Sequence, residues 1–173
     1  MVDNNPKRTQ LRKSFILTLA DLVESDPRII LIIGDVGFSF LEPFKEKYPN
    51  QFLNAGIAEQ NMMGMAAGLA RVGWKPVIYT MRNFIAFRPY EQVRNDIAFP
   101  CENVKMFGVA GSASYKFLGM SHNVFQYKNG EDEDIAMMQE LPNMVVYKPK
   151  TEDDVTELMV KEFERKGPAY FII

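Results

Sequence analysis

The run RIILIIGD, residues 28–35, puts five consecutive large aliphatic side chains between charged ends. A strand that is apolar on both faces must be covered on both, which is the situation of a parallel sheet packed between helices. Runs of the same kind recur as PVIYT (76–80), NVKMFGV (103–109), NMVVYKP (143–149) and PAYFII (168–173), with QFLNA (51–55) as a shorter one. Segments with helical spacing separate them. From Thr9 onward, Leu11, Phe15, Ile16, Leu19, Leu22 and Val23 mark a first helix ending near Ser25. LEPFKEKY, the stretch from Asn61 to Val72, EQVRNDIA and EDEDIAMMQEL follow, and TEDDVTELMVKEFERKG sets acids first and bases last, as the helix dipole favours. Strands alternating with helices along the whole chain predict an α/β fold, a mainly parallel sheet flanked by helices. The polar opening over residues 1–8 is expected to be flexible, leaving 9–173 as one domain. The apolar finish in mid-strand suits a domain cut from something larger or a strand that closes the sheet.

One stretch stands apart, NAGIAEQNMMGMAAGLARVG at 54–73. Glu59 is placed on a turn among the small residues Ala55, Gly56 and Ala58, just ahead of a run rich in Met, Ala and Gly that reads as a buried helix. A buried carboxylate must be paired, hydrogen-bonded or neutralised, and the same conditions suit a proton-handling group. Spacing alone leaves two readings open, a helix-capping acid or a working carboxylate. Asp35 ends the first strand, where open α/β sheets place their ligands, although a turn or helix cap fits it as well. Met81, Phe84, Phe87 and Tyr90 then fall at every third position past a strand end, either as core or as the wall of a flat ligand's site. His122, the single histidine, lies in a long segment between Ala110 and Gly130, as a candidate acid, base or donor or as a plain surface group.

Several function classes lack their parts. A net charge of -2 with scattered Lys and Arg gives no basic surplus for nucleic acid. No membrane span is expected. One cysteine, Cys101, rules out an internal disulfide and a cysteine-built metal cluster, and a reducing cytoplasm fits best. Walker, GxGxxG, HExxH, CxxC and GxSxG patterns are all missing. Eleven Met and thirteen Phe exceed what one small core needs, which points to an oligomer.

Asp35, Glu59, the Phe84/Phe87 wall and the His122 loop, in that order along the chain, resemble the pyrimidine-binding (Pyr) domain of transketolase and its thiamine-diphosphate relatives. GIAEQNMMGMAAGLA is similar to the family's signature around its catalytic glutamate. NFIAFRPYEQVRNDIA resembles the segment that packs on the cofactor's aminopyrimidine, and EDIAMMQELPNMVVYKP the one that follows the substrate loop. The resemblance implies that Glu59 bonds ring nitrogen N1', favouring the imino tautomer that deprotonates thiazolium C2. It further implies cofactor contacts at Asp35, Met81, Phe84 and Phe87, substrate contacts at Arg12, Ser39 and His122, and a catalytic part for His122. The apolar wall is expected to raise the Glu59 carboxyl pKa.

The departures from the family pattern are informative. A GEDGP[ST]HQ run is usual in the substrate loop, and the chain has KFLGMSHN, with Phe117 and Leu118 in place of the acidic pair. The family's earlier histidine falls on Ala110 or Gly111, and an insertion of about seven residues follows His122. Exchanging hydroxyl-binding groups for apolar ones predicts a non-standard substrate. No GDG motif for Mg²⁺ is present, so the metal ligands and the diphosphate site are expected from a partner subunit, in a homo- or hetero-oligomer acting on a small molecule. The resemblance implies a split transketolase-like transferase of a two-carbon ketol unit, with the Pyr domain in the C-terminal-type subunit. The alternatives are the β-type subunit of a thiamine-dependent 2-oxoacid decarboxylase or dehydrogenase, and a non-catalytic assembly module.

Overall fold

The computed structural model describes residues 6–38, 40–110 and 113–173. Strands β1 (Ile29–Ile33), β2 (Phe52–Asn54), β3 (Lys75–Met81), β4 (Lys105–Val109), β5 (Val145–Tyr147) and β6 (Ala169–Ile172) form one sheet in the order β2-β1-β3-β4-β6-β5. Every pairing is parallel. The connections are the helices α1 (Pro6–Ser25), α2 (Glu42–Lys47), α3 (Glu59–Arg71), α4 (Arg82–Ala86), α5 (Tyr90–Gln92), α6 (Glu133–Gln139) and α7 (Glu152–Glu164). A π-helical turn at Val93–Ala98 continues α5, and a 3₁₀ stretch covers Ala113–Ser121. The α/β architecture thus matches the sequence pattern. Helix α1 reaches back to Pro6, so residues 6–8 are helical where a flexible segment was expected; Pro is tolerated in a first turn because its missing N–H has no intrahelical partner there. None of the described helices is long and apolar enough to cross a membrane.

Alternation along the strands divides the core. Leu31, Ile33, Val77, Tyr79, Phe107 and Phe171 face one way and pack against Phe15, Leu19 and Val23 of α1 and Val155, Met159 and Phe163 of α7. Ile32, Ile78, Met106 and Tyr170 face the other, against Met62, Met63, Ala66 and Ala67 of α3 and Met138 of α6. Aromatic rings tie the first layer, with Phe107 at 4.5 Å from both Phe15 and Phe171. Each such pair adds roughly 0.5–1.5 kcal/mol beyond burial. Hydroxyls finish the contact between α1 and α7, where Ser14 lies 3.0 Å and Thr18 3.1 Å from Thr156.

The strand order reverses between β1 and β3. In such sheets the crevice beyond the carboxyl ends of those two strands is the ligand position. The chain delivers Gly34–Asp35 there from β1 and Met81–Phe84 from β3, and α3 begins five residues after β2 ends. At the opposite end of the sheet Lys105 is buried, its ammonium donating to Glu162 at 2.8 Å and to the Gly167 carbonyl at 2.6 Å. Burial pushes Lys105 down to about 8 despite the Glu162 partner.

Candidate active site

Glu59 is the first residue of α3, so its carboxylate sits at the positive end of the helix dipole. Only 8% of the residue is exposed. Two features of the preceding turn bring it there. Gly56 adopts φ +72, and its N–H donates to Asn54 Oδ1 at 2.9 Å, bending the chain from β2 into the helix. The carboxylate is paired. Arg88 Nη1 donates to Glu59 Oε1 at 2.5 Å, and the Arg88 guanidinium lies 3.7 Å from the centroid of the Phe84 ring.

His122 meets the same ring from its edge, with centroids 5.1 Å apart at 78°. Its Nδ1 is 2.8 Å from Ser121 Oγ. Partial burial, and then the charge of Arg88, hold the His122 pKa below the ordinary imidazole value, so the ring is neutral near pH 7. The loop is held in place by Asn83, whose amide donates to the carbonyls of Asn123 at 2.7 Å and Met120 at 3.1 Å. Among the described residues, Thr80 Oγ1 and Asn83 Oδ1 are buried and have no hydrogen-bond partner. Buried polar atoms of this kind ordinarily meet water or a ligand.

A second layer of charge secures the loop's far end. Arg82 donates through Nε to Asp134 Oδ2 at 2.8 Å and through Nη2 to Asp132 at 2.7 Å, and the Tyr170 hydroxyl donates to Asp134 at 2.6 Å. Burial works against the Arg82 charge, but the bonds to Asp134 and Asp132 and their field hold its pKa above the usual guanidinium value. Sequence reading missed this cluster and missed Arg88. The available signal was a charge directly following a large apolar residue, Arg82 after Met81 and Arg88 after Phe87.

The structure brings Glu59, Phe84 and His122 into one cluster. Met81 and Phe87 are nearby in the chain; Met81 is buried at the end of β3, and Phe87 is partly buried against the α3 layer. Asp35, at φ +53, makes a two-way contact with Asn54: its N–H donates to Asn54 Oδ1 at 3.1 Å and its carboxylate accepts from Asn54 Nδ2 at 3.0 Å. Arg12 is on the other layer, donating to the Tyr79 hydroxyl at 2.8 Å with its guanidinium 4.6 Å from the Phe40 ring centre. Ser39 and Gly111 lie outside the described residues. Phe117 and Leu118 are 77% and 36% exposed, so the apolar replacements stand on the surface of the loop.

The family model for the transketolase pyrimidine-binding domain matches residues 7–173. The chain belongs to that family. It is 34% identical over 160 residues to an apulose-4-phosphate transketolase subunit of Phocaeicola vulgatus, covering 92% of this chain and 49% of that protein. Over 161 residues it is 29% identical to the 6-deoxy-6-sulfo-D-fructose transketolase subunit SqwH of Clostridium sp., covering 92% of this chain and 48% of that protein. Among solved structures, a split-gene transketolase described as an inactive beta4 tetramer superposes with TM-score 0.80 at 34% identity, covering 94% of this chain and 50% of that one. The Pyr domain spans about half the length of the curated relatives it matches.

The residues present fit the pyrimidine end of thiamine diphosphate. A carboxylate and an aromatic face both contact one flat cation, the Arg88 guanidinium, which stacks on that face and bonds to that carboxylate. The described residues contain no group of three or more His, Cys, Asp or Glu placed to hold a metal ion.

Proposed function

We propose that this Pyr domain forms the pyrimidine half of a split thiamine-diphosphate enzyme that transfers a two-carbon ketol unit, completed by a partner subunit that supplies the diphosphate site and the Mg²⁺ ligands. The observation that carries this reading is the convergence of the Glu59 carboxylate and the Phe84 face on one flat group, the Arg88 guanidinium, in a chain of this family. Bound there, thiamine diphosphate supplies the nucleophilic thiazolium C2 that carries a two-carbon unit between sugars.

The chain's own residues have separable tasks. Glu59 exchanges a proton with the ring nitrogen N1'. Phe84 offers the stacking face, with Met81 and Phe87 shielding the ring edge from water. His122, neutral near pH 7, accepts or returns a proton at a substrate oxygen. Asp35, fixed by Asn54, borders the cofactor; Arg12 and Ser39 receive the anionic group of the substrate.

Two observations support a non-standard substrate. Phe117 and Leu118 present apolar surface where the family carries acids, and the relatives' names specify apulose-4-phosphate and 6-deoxy-6-sulfo-D-fructose. Both of those relatives are named as transketolase subunits, which favours ketol transfer over 2-oxoacid decarboxylation.

Calorimetric titration of thiamine diphosphate with Mg²⁺, into the chain alone and into its mixture with a candidate diphosphate-binding subunit, tests the proposal. Binding in the mixture at least a hundredfold tighter, by the order expected of a site completed across two chains, is the predicted result. Equal, weak binding with and without every partner that associates with the chain would contradict it.

A further inference from the structure

The Arg88 side chain presents the same two features to its surroundings that an aminopyrimidine would. Its guanidinium is planar, carries N–H donors in its own plane, and stacks on aromatic faces. It uses both, giving one hydrogen bond to Glu59 Oε1 at 2.5 Å while lying 3.7 Å from the Phe84 ring centre. A pyrimidine ring held by the same carboxylate and stacked on the same phenyl face needs the same space.

We propose that Arg88 is a placeholder latch: in the unassembled chain it occupies the pyrimidine seat, and the cofactor's ring must displace it to reach Glu59 and Phe84. The inference rests on the functional reading above and adds to it a residue that sets how readily the site loads.

The geometry gives the latch a fixed hinge and a free arm. The Arg88 carbonyl accepts from Gln60 Nε2 at 3.4 Å, which ties the backbone to α3, and Pro89 restricts the next φ. The side chain itself is 40% exposed, so the guanidinium can rotate into water, where a cation is well solvated. Glu59 has no such exit, since only 9% of its side chain is exposed. Without the cofactor, an unpaired carboxylate there would be costly, and Arg88 removes that cost. The consequence is linkage: a ligand that binds only the open form has its apparent affinity reduced by the fraction of chains that are closed.

The test uses the whole 173-residue chain and the ring portion of the cofactor alone, 4-amino-5-hydroxymethyl-2-methylpyrimidine, so that no partner is needed. Affinity is read by calorimetry on the native chain, Arg88→Ala and Arg88→Lys, with thermal melts to establish that each variant is folded. Because His122 is the single histidine and touches Phe84, its ring proton signals report without further assignment whether the ligand reaches this seat. Arg88→Ala is expected to bind the pyrimidine about tenfold tighter, the size of a partly exposed ion pair and cation–π contact together, with Arg88→Lys between the two. The His122 signals should shift on binding in all three chains. Equal or weaker binding by Arg88→Ala, with His122 still responding, would overturn the latch and leave the pyrimidine seat standing. A ring that neither binds nor perturbs His122 in any of the chains would overturn the seat, and with it the functional reading.

Discussion

Arg82 and Asp134, 52 positions apart in the chain, grip each other through two parallel hydrogen bonds, Nε to Oδ2 at 2.8 Å and Nη2 to Oδ1 at 2.5 Å. The pair joins the end of β3 to the start of α6, the point where the loop bearing His122 returns to the sheet. Asp134 is fully buried, and its Oδ2 also accepts the Tyr170 hydroxyl. Removing the acid's charge leaves Arg82 without its main partner in a site that water does not reach. Asp134→Asn should therefore lower unfolding free energy by about 3–5 kcal/mol, the usual result of breaking one side of a buried pair. Urea denaturation followed by circular dichroism measures this as a lower midpoint at unchanged slope.

Tyr170 links the same cluster to alkaline stability. Burial and the neighbouring Asp134 charge raise its pKa above the ordinary phenol value. Above pH 10 the unfolded tyrosine releases its proton while the native one retains it, so the folded state binds more protons and stability falls as pH rises. That contribution is complete below pH 10 and is lost progressively above it. Urea midpoints measured from pH 8 to 11 should fall more steeply for the native chain than for Tyr170→Phe, which has no proton to lose.

Gly108 in β4 faces this cluster directly. A Cβ there would lie 2.7 Å from the Tyr170 hydroxyl and 3.0 Å from Arg82 Cγ. Gly108→Ala must push the phenol off Asp134, with a cost of roughly 1–3 kcal/mol for an overpacked core. Pairing it with Tyr170→Phe should give a non-additive sum, since both changes break the same bond.

The substrate loop offers a functional check. If His122 handles a proton on the substrate, His122→Ala should reduce turnover about a hundredfold in the assembled enzyme while the affinity for thiamine diphosphate stays within a fewfold of normal. A loss confined to cofactor affinity would instead make His122 part of the Phe84 stack.

Much of the architecture was legible because it rests on local pattern. The doubly apolar RIILIIGD run specifies a covered strand, and it is β1; the Met- and Ala-rich stretch after Glu59 specifies a helix, and it is α3, buried along the face of Met62, Met63, Ala66 and Ala67. The π-helical turn at Val93–Ala98 was not legible, because its apolar spacing is that of an ordinary helix. Buried charge was the least legible feature. Local spacing does not mark Lys105, Glu162, Arg82 or Asp134 as buried, yet each is buried with a partner far away in sequence, such as Glu162 for Lys105 across 57 positions. The layer a helix takes is likewise set by tertiary connection and not by its own residues, as with α1, which carries Arg12 on the α1/α7 layer of the sheet. The partnership of Glu59 with Arg88 also depends on such a meeting, across 29 positions.

We propose that the Glu59 carboxyl drives proton removal from thiazolium C2. The most direct measurement is the exchange of that C2 proton for deuterium, followed by NMR after acid quench, in the complex of this chain with its diphosphate-binding partner. Exchange should be fast with the native chain and about a hundred- to ten-thousandfold slower with Glu59→Ala, the range for loss of a positioned proton-transfer group. Exchange by the Glu59→Ala complex at the native rate would contradict the account.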